Sequence, residues 1–145
     1  MEIRVTGLDD AADVGLDGAH TAALSAVRPD PDHPGWDVAI WLDLLTLPGT
    51  PDAGDFYTEI ETWLFDRYSD QDACCRVEWS KGWGYTAQGP WRNPQVIENL
   101  VPASFGRDYD GAVGTFRRLD PHGVFMSGLL EGLMRRPSAA FSTGG

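Results

Sequence analysis

The chain has 145 residues, 42% of them hydrophobic, and a formal net charge of −11. That length and apolar content suit one domain with a real core and exclude a disordered chain. The acid excess, with no basic cluster larger than Arg117-Arg118 or Arg135-Arg136, argues against nucleic acid and anionic membrane partners, which require a basic face.

Residues 2–8 alternate as a strand does, with Glu2, Arg4 and Thr6 on one face and Ile3 and Val5 on the other. A strand that opens at the second residue is expected of a chain cut from something longer. Residues 9–34 are rich in Asp, Ala, Gly and Pro and read as a long irregular connection. Residues 36–47, WDVAIWLDLLTL, are the strongest strand. Trp36, Val38, Ile40, Leu42 and Leu44 make a continuous apolar face. Asp37, Ala39, Trp41 and Asp43 make a mixed face, expected to be partly wet or to line a cavity.

Thr50-Pro51-Asp52 supplies a capping hydroxyl, a first-turn proline and an early acid, which predicts a helix to about Tyr68. Phe56, Ile60, Trp63, Leu64 and Arg67 recur at helical spacing and are expected to face the core. Residues 75–80 read as another strand, broken by Gly82, Gly84 and Gly89-Pro90. Asn93-Pro94 opens a short helix carrying Val96, Ile97 and Leu100. Residues 110–118 predict a third helix, LDPHGVF (119–125) a turn, and residues 127–135 a last helix. Residues 137–145 are expected to be a disordered tail, which leaves residues 1–136 as one domain. The sum is an α+β fold, an antiparallel sheet covered by helices on one face.

No apolar run approaches the ~20 residues of a membrane span, and residues 38–47, the longest, are interrupted by Asp43. Met1-Glu2-Ile3-Arg4 does not begin a secretory signal, so a cytoplasmic location is expected. Cys74 and Cys75 are adjacent, a spacing that strains a disulfide, and His20, His33 and His122 are isolated. No metal site is expected. There is no G-x-G-x-x-G, P-loop or G-x-S-x-G pattern, so the chain is expected to bind no dinucleotide by itself.

Two charged pairs are candidates for chemistry. Glu2 and Arg4 share a strand face, and the planar guanidinium can hold a carboxylate or polarise an oxygen; the bland alternative is a surface ion pair. Glu78 and Lys81, in EWSKGW, would point to opposite faces of a regular strand, but Gly82 permits a bend that brings them together. A lysine walled by Trp79 and Trp83 sheds hydration, which suits proton transfer. The alternatives are a cation–π contact or a snorkelling lysine beside a rim glutamate. Asp43 matters if it shares a cavity with these groups. Trp41, Trp79, Trp83, Tyr85 and Trp91 can wall a pocket for a flat apolar ligand, although at least three are expected in the core.

The segments EIRVTGLD, ALSAVRPDPDHPGWDVAIWLDLLTLPGTPDA, FYTEIETWLF, EWSKGWGYT and LDPHGVFMSGLLEGLM resemble, in order, the C-terminal part of the bacterial cholesterol oxidases with covalently bound FAD, members of the vanillyl-alcohol oxidase superfamily. The likeness runs from Glu2 to about Met134. It implies half of a flavin-oxidase cap domain, the part that covers the isoalloxazine ring while a 3β-hydroxysterol is oxidised and oxygen is reduced to peroxide. The family's Glu-x-Arg pair falls on Glu2 and Arg4, implying oxyanion stabilisation by the arginine and an oxygen gate made by the two. Its Glu-x-x-Lys pair falls on Glu78 and Lys81. A polar residue of the central strand falls on Asp43 where the family has Asn, and an anion cannot donate a hydrogen bond as an amide does. The FAD domain and the flavin-tethering histidine would lie before Met1.

Three functions follow. The first is the substrate-binding domain of an FAD-dependent sterol oxidase, either as a fragment or as a subunit that meets a separate FAD protein. The second is a stand-alone descendant that binds an apolar polycyclic or polyketide-like ligand and uses Glu78, Lys81, Arg4 or Asp43 for a cofactor-free cyclisation or isomerisation. The third is an interaction module whose charges are surface pairs. Loss of a covering domain exposes an apolar face, so a homodimer is expected.

Overall fold

Alternating side chains build β1 (Glu2–Gly7) and β2 (Val38–Asp43), which pair antiparallel with Glu2 opposite Asp43, Arg4 opposite Trp41 and Thr6 opposite Ala39. The computed structural model describes residues 1–68 and 71–135; the expected tail at 137–145 lies outside them. This register gathers Glu2, Arg4 and Thr6 with Asp43, Trp41 and Ala39 on one face, and Ile3 and Val5 with Leu42 and Ile40 on the other. The apolar face is the bare one. Ile3, Val5, Val38, Ile40 and Leu42 are between 41% and 68% exposed, whereas Ala39, Trp41 and Asp43 are half-buried. Burial thus runs opposite to hydrophobicity along β2, while β1 is exposed on both faces.

The fold is α+β and its sheet antiparallel, with two strands. Residues 75–80, expected as a third strand, form no ladder. Their polar groups are engaged elsewhere. Arg76 donates from Nε to Ser104 O (2.9 Å) and from Nη1 to Arg28 O (2.8 Å), and Trp79 donates from Nε1 to Leu24 O (2.7 Å). These bonds tie down the long connection between the strands. Arg28 adds an ion pair to Asp108 and a bond to Ala23 O (3.0 Å).

The helix α1 (Ala53–Arg67) departs from expectation at its start and on its face. Thr50 is not the cap, because its hydroxyl donates back to Leu47 O (2.8 Å) inside a turn. Asp52 holds the N-cap position with φ +55 and no side-chain capping bond. The stripe expected to face the core buries no residue, and Phe56 and Trp63 are among the exposed large hydrophobics. The helix docks instead through its smallest residue. A Cβ at Gly54 would lie 2.6 Å from Thr86 O and 2.9 Å from Ala87 O. Alanine is worth about 1 kcal/mol over glycine inside a helix, yet Gly54→Ala should lower stability by about 1–3 kcal/mol through this backbone clash. A thermal melt at or above wild type would show that α1 does not sit on the 86–87 turn.

The core lies among the later helices. The chain winds through a π-helical stretch (Val96–Leu100) into α2 (Val101–Phe105), so the helix expected to be short continues to Phe105. Val101 N–H reaches back five residues to Val96 O. Pro102 would collide with the carbonyl four residues before it, and the wider turn relieves that collision. α3 (Arg107–Leu119) starts three residues earlier than expected, after Gly106. α4 (Gly128–Met134) is capped by Ser127, whose Oγ accepts from Leu130 N–H (3.3 Å). Asp120 accepts from Val124 and Phe125 N–H (both 2.8 Å), which closes the expected turn between these helices. Val77, Trp83, Val96, Ile97, Val101, Phe105, Tyr109, Val113 and Leu133 make the core, and Tyr109 OH donates to Leu133 O (2.7 Å). The sheet adds no residue to it, and α1 adds only the half-buried Phe65, which packs against it.

Candidate functional site

A cavity of about 970 Å³ occupies the space between β2, α1 and residues 72–85. Glu2, Arg4, Trp41 and Asp43 of the mixed face border it, as its composition suggested, and Val38, Ile40 and Leu42 border it as well. Arg4 Nη2 meets Asp43 Oδ2 at 2.5 Å, and Arg4 Nε lies 3.5 Å from Glu2 Oε1. Three of the five expected catalytic residues therefore form one cluster. Within it Asp43 is the least exposed, with 18% of its side chain accessible against about half or more for Arg4 and Glu2. Trp41, opposite Arg4 in the register, lines the same cavity.

The expected pairing of Glu78 with Lys81 does not form. Glu78 accepts from Ser80 N–H (2.8 Å) and Ser80 Oγ (2.9 Å), while Lys81 N–H donates to Glu78 O (3.1 Å). The bend expected at Gly82 comes at 78–81, and the carboxylate closes that turn. Both residues border the cavity, with Lys81 exposed and in no ion pair among the described residues.

The aromatic set divides. Trp41 and Tyr85 line the cavity. Trp83 borders it from within the core, and its indole N–H finds no partner among the described residues. Trp79 does not line it, because its ring packs against Trp83 and Phe105 and its N–H is held by Leu24 O. Trp91 stands exposed at φ +58 and is likewise outside the lining.

Two cavity residues escaped the sequence reading, Tyr57 and Glu61 of α1. Glu61 accepts from Gly84 N–H (2.7 Å) and Tyr85 N–H (3.0 Å). Burial pushes its carboxyl above the ordinary glutamate value, against the pull of those two amides. Its one sequence signal is position, since it adjoins Ile60 and precedes Leu64 by three residues at the edge of the apolar stripe. Nearby, burial pushes the Cys75 thiol up to about 12, with Cys74 and Glu61 adding to the effect.

Among the described residues no group of three or more His, Cys, Asp or Glu could hold a metal ion, and no helix is long and apolar enough to cross a membrane. The helix that follows β2 opens with Asp52 and Asp55, whose charges oppose a pyrophosphate at that end.

A family profile described as "Cholesterol oxidase, substrate-binding" matches residues 1–135. Among solved structures the chain is similar to a solvent-stable cholesterol oxidase, at 45% identity and a TM-score of 0.83. It is also similar to cholesterol oxidase from B. sterolicum, at 40% identity and a TM-score of 0.84. Each match covers 92% of this chain and 26% of the other, so the chain spans about a quarter of the length of those relatives. No curated protein matches the chain.

Proposed function

The chain belongs to the cholesterol oxidase substrate-binding family, and from that premise we propose that it binds a sterol in the cavity between β2 and α1 and presents the sterol's hydroxyl to a flavin carried by a partner. The observation that supports this reading is the inverted burial of β2. A strand, β2, that covers its mixed face more than its apolar one and sets Trp41 and Asp43, with Arg4 of β1, at a cavity is built around a ligand. The volume, about 970 Å³, falls within the range of small-molecule sites, roughly 300–1,000 Å³.

In this reading the residues divide the work by chemistry. Trp41 and Tyr85 offer flat apolar surface to the ring system. Arg4 offers its fork to the oxygen, and Asp43 with Glu2 aligns that fork. Lys81, exposed at the border, is a second cation for the polar end. The partner is the equivalent of the three quarters of the relatives' length that this chain does not match. It covers the bare apolar face of Ile3, Val5, Val38, Ile40 and Leu42. Without the partner, that face drives self-association of the chain as a symmetric pair.

Titrating the chain with cholesterol, read by tryptophan fluorescence, tests the binding. Mixing the chain with a flavin domain prepared from a cholesterol oxidase relative, and measuring peroxide, tests the assembly. Saturable quenching and sterol-dependent peroxide are expected. Absence of both would falsify the reading.

A further inference from the structure

We propose that Glu61 is the positioning residue of the cavity, pinning the turn at residues 83–85 to α1 and so setting Tyr85 against Tyr57 as the aromatic wall the ligand meets. The proposal rests on the reading of the cavity as a sterol site. Glu61 and Tyr57 are four residues apart, one above the other on a single face of α1. Each carboxylate oxygen takes one of two successive amides, Gly84 N–H on Oε1 and Tyr85 N–H on Oε2. That clasp brings the Tyr85 ring onto Tyr57, with centroids 4.6 Å apart and planes 28° from parallel. The Tyr57 hydroxyl lies within reach of Leu44 O (3.3 Å) and Thr46 Oγ1 (3.2 Å), just beyond β2. The wall therefore runs from the end of the sheet to the turn that carries Trp83. On its far side a side chain at Gly82 would collide with the Tyr85 hydroxyl.

A clasp needed only for stability would not favour a desolvated charge. Because the folded state raises this carboxyl's pKa, Glu61 contributes most stability below the unfolded glutamate value. That contribution is lost as pH rises through the raised folded value. The ionised form, once reached, lowers stability, a pattern typical of positions held for function. The titratable groups facing it are Tyr57 on its own helix, Tyr85 from the turn and Cys75 from the preceding segment. Tyr85 is pushed up by burial, then by Tyr57 and Glu61, and Cys75 is pushed up to about 12. Both stay neutral while Glu61 titrates. Protonation turns one acceptor oxygen into a donor that faces an N–H, which loosens the clasp.

Amide NMR of the whole chain against pH reads the clasp without any ligand. The Gly84 and Tyr85 resonances are expected to move together, with a midpoint above the ordinary glutamate value of about 4.3. Glu61→Gln keeps one acceptor and sets an NH2 against the other amide. It should abolish that titration and weaken cholesterol binding about tenfold, with the melting temperature within about 3 °C of wild type. Static amides in the wild type, or unchanged cholesterol affinity in Glu61→Gln, would overturn the proposal. Failure of Glu61→Gln to fold would mark a structural clasp and overturn it equally. A wild-type chain that binds no cholesterol defeats the sterol reading, while the titration still decides whether Glu61 holds the turn.

Discussion

Replacing Arg76 by alanine should cost about 3–5 kcal/mol, the loss typical of breaking a buried charge network from one side. The Arg76 side chain is 9% exposed and lies over the Phe105 ring, 5.6 Å from its centroid. Its guanidinium serves Ser104 O, Arg28 O and the Asp30 carboxylate (3.4 Å). Removal strands two carbonyls and a carboxylate in half-buried positions, and water cannot reach all of them freely. With a urea slope of about 1–3 kcal/mol per M, the midpoint should fall by more than about 1 M. Arg76→Lys should recover little, because a point charge cannot span three acceptors that a planar fork reaches together. Ala26, Val27, Arg28 and Asp30 line the cavity, so the same variant should also weaken cholesterol binding. A midpoint within 0.3 M of wild type, roughly the scatter of the method, would mean that the connection is held by something else.

Arg4→Ala should separate function from stability. With a flavin-bearing partner supplied, peroxide formation from cholesterol is expected to drop about 100-fold, the scale of removing one donor from a developing oxyanion. The melting temperature should move by less than about 2 °C, since half-exposed ion pairs contribute little. Arg4→Lys should restore only a small part, because a single ammonium cannot engage Asp43, Glu2 and a ligand oxygen with one planar fork. Asp43→Asn is the informative contrast. It leaves the guanidinium in place but removes its closest counter-charge, so turnover should fall less than in Arg4→Ala. Equal turnover in Arg4→Ala and wild type would remove Arg4 from the site.

Much of this was legible before any coordinates. The alternation at residues 2–8 and 36–47 correctly grouped Glu2 with Arg4 in one strand and Trp41 with Asp43 in the other, and the register joins the four on one face. The Ser127 cap and the Asp120 turn also lay where their residue types predict. What failed were three inferences about a neighbour. Residues 75–80 have a strand's composition, but a ladder needs a second row of free backbone groups beside them, and none stands there among the described residues. The α1 stripe has the period of a core helix, but period does not reveal whether packed side chains or an open cavity lies opposite. Glu78 and Lys81 are close in sequence, yet a carboxylate two residues from a serine finds the local hydroxyl and amide before it finds a lysine.

Local sequence, then, determined which residues share a face, where helices begin and end to within a few positions, and the family to which the chain belongs. The first two depend on periodicity or on short-range hydrogen bonding, and the family on the ordered likeness of several motifs. Only the tertiary structure decided that the mixed face of β2 is the more covered one, that Trp79 and Trp83 belong to packing before pocket, and that Glu61 leaves the helix surface to hold two amides 23 and 24 residues away. Burial is a property of the space between elements, and no single element encodes what lies across from it.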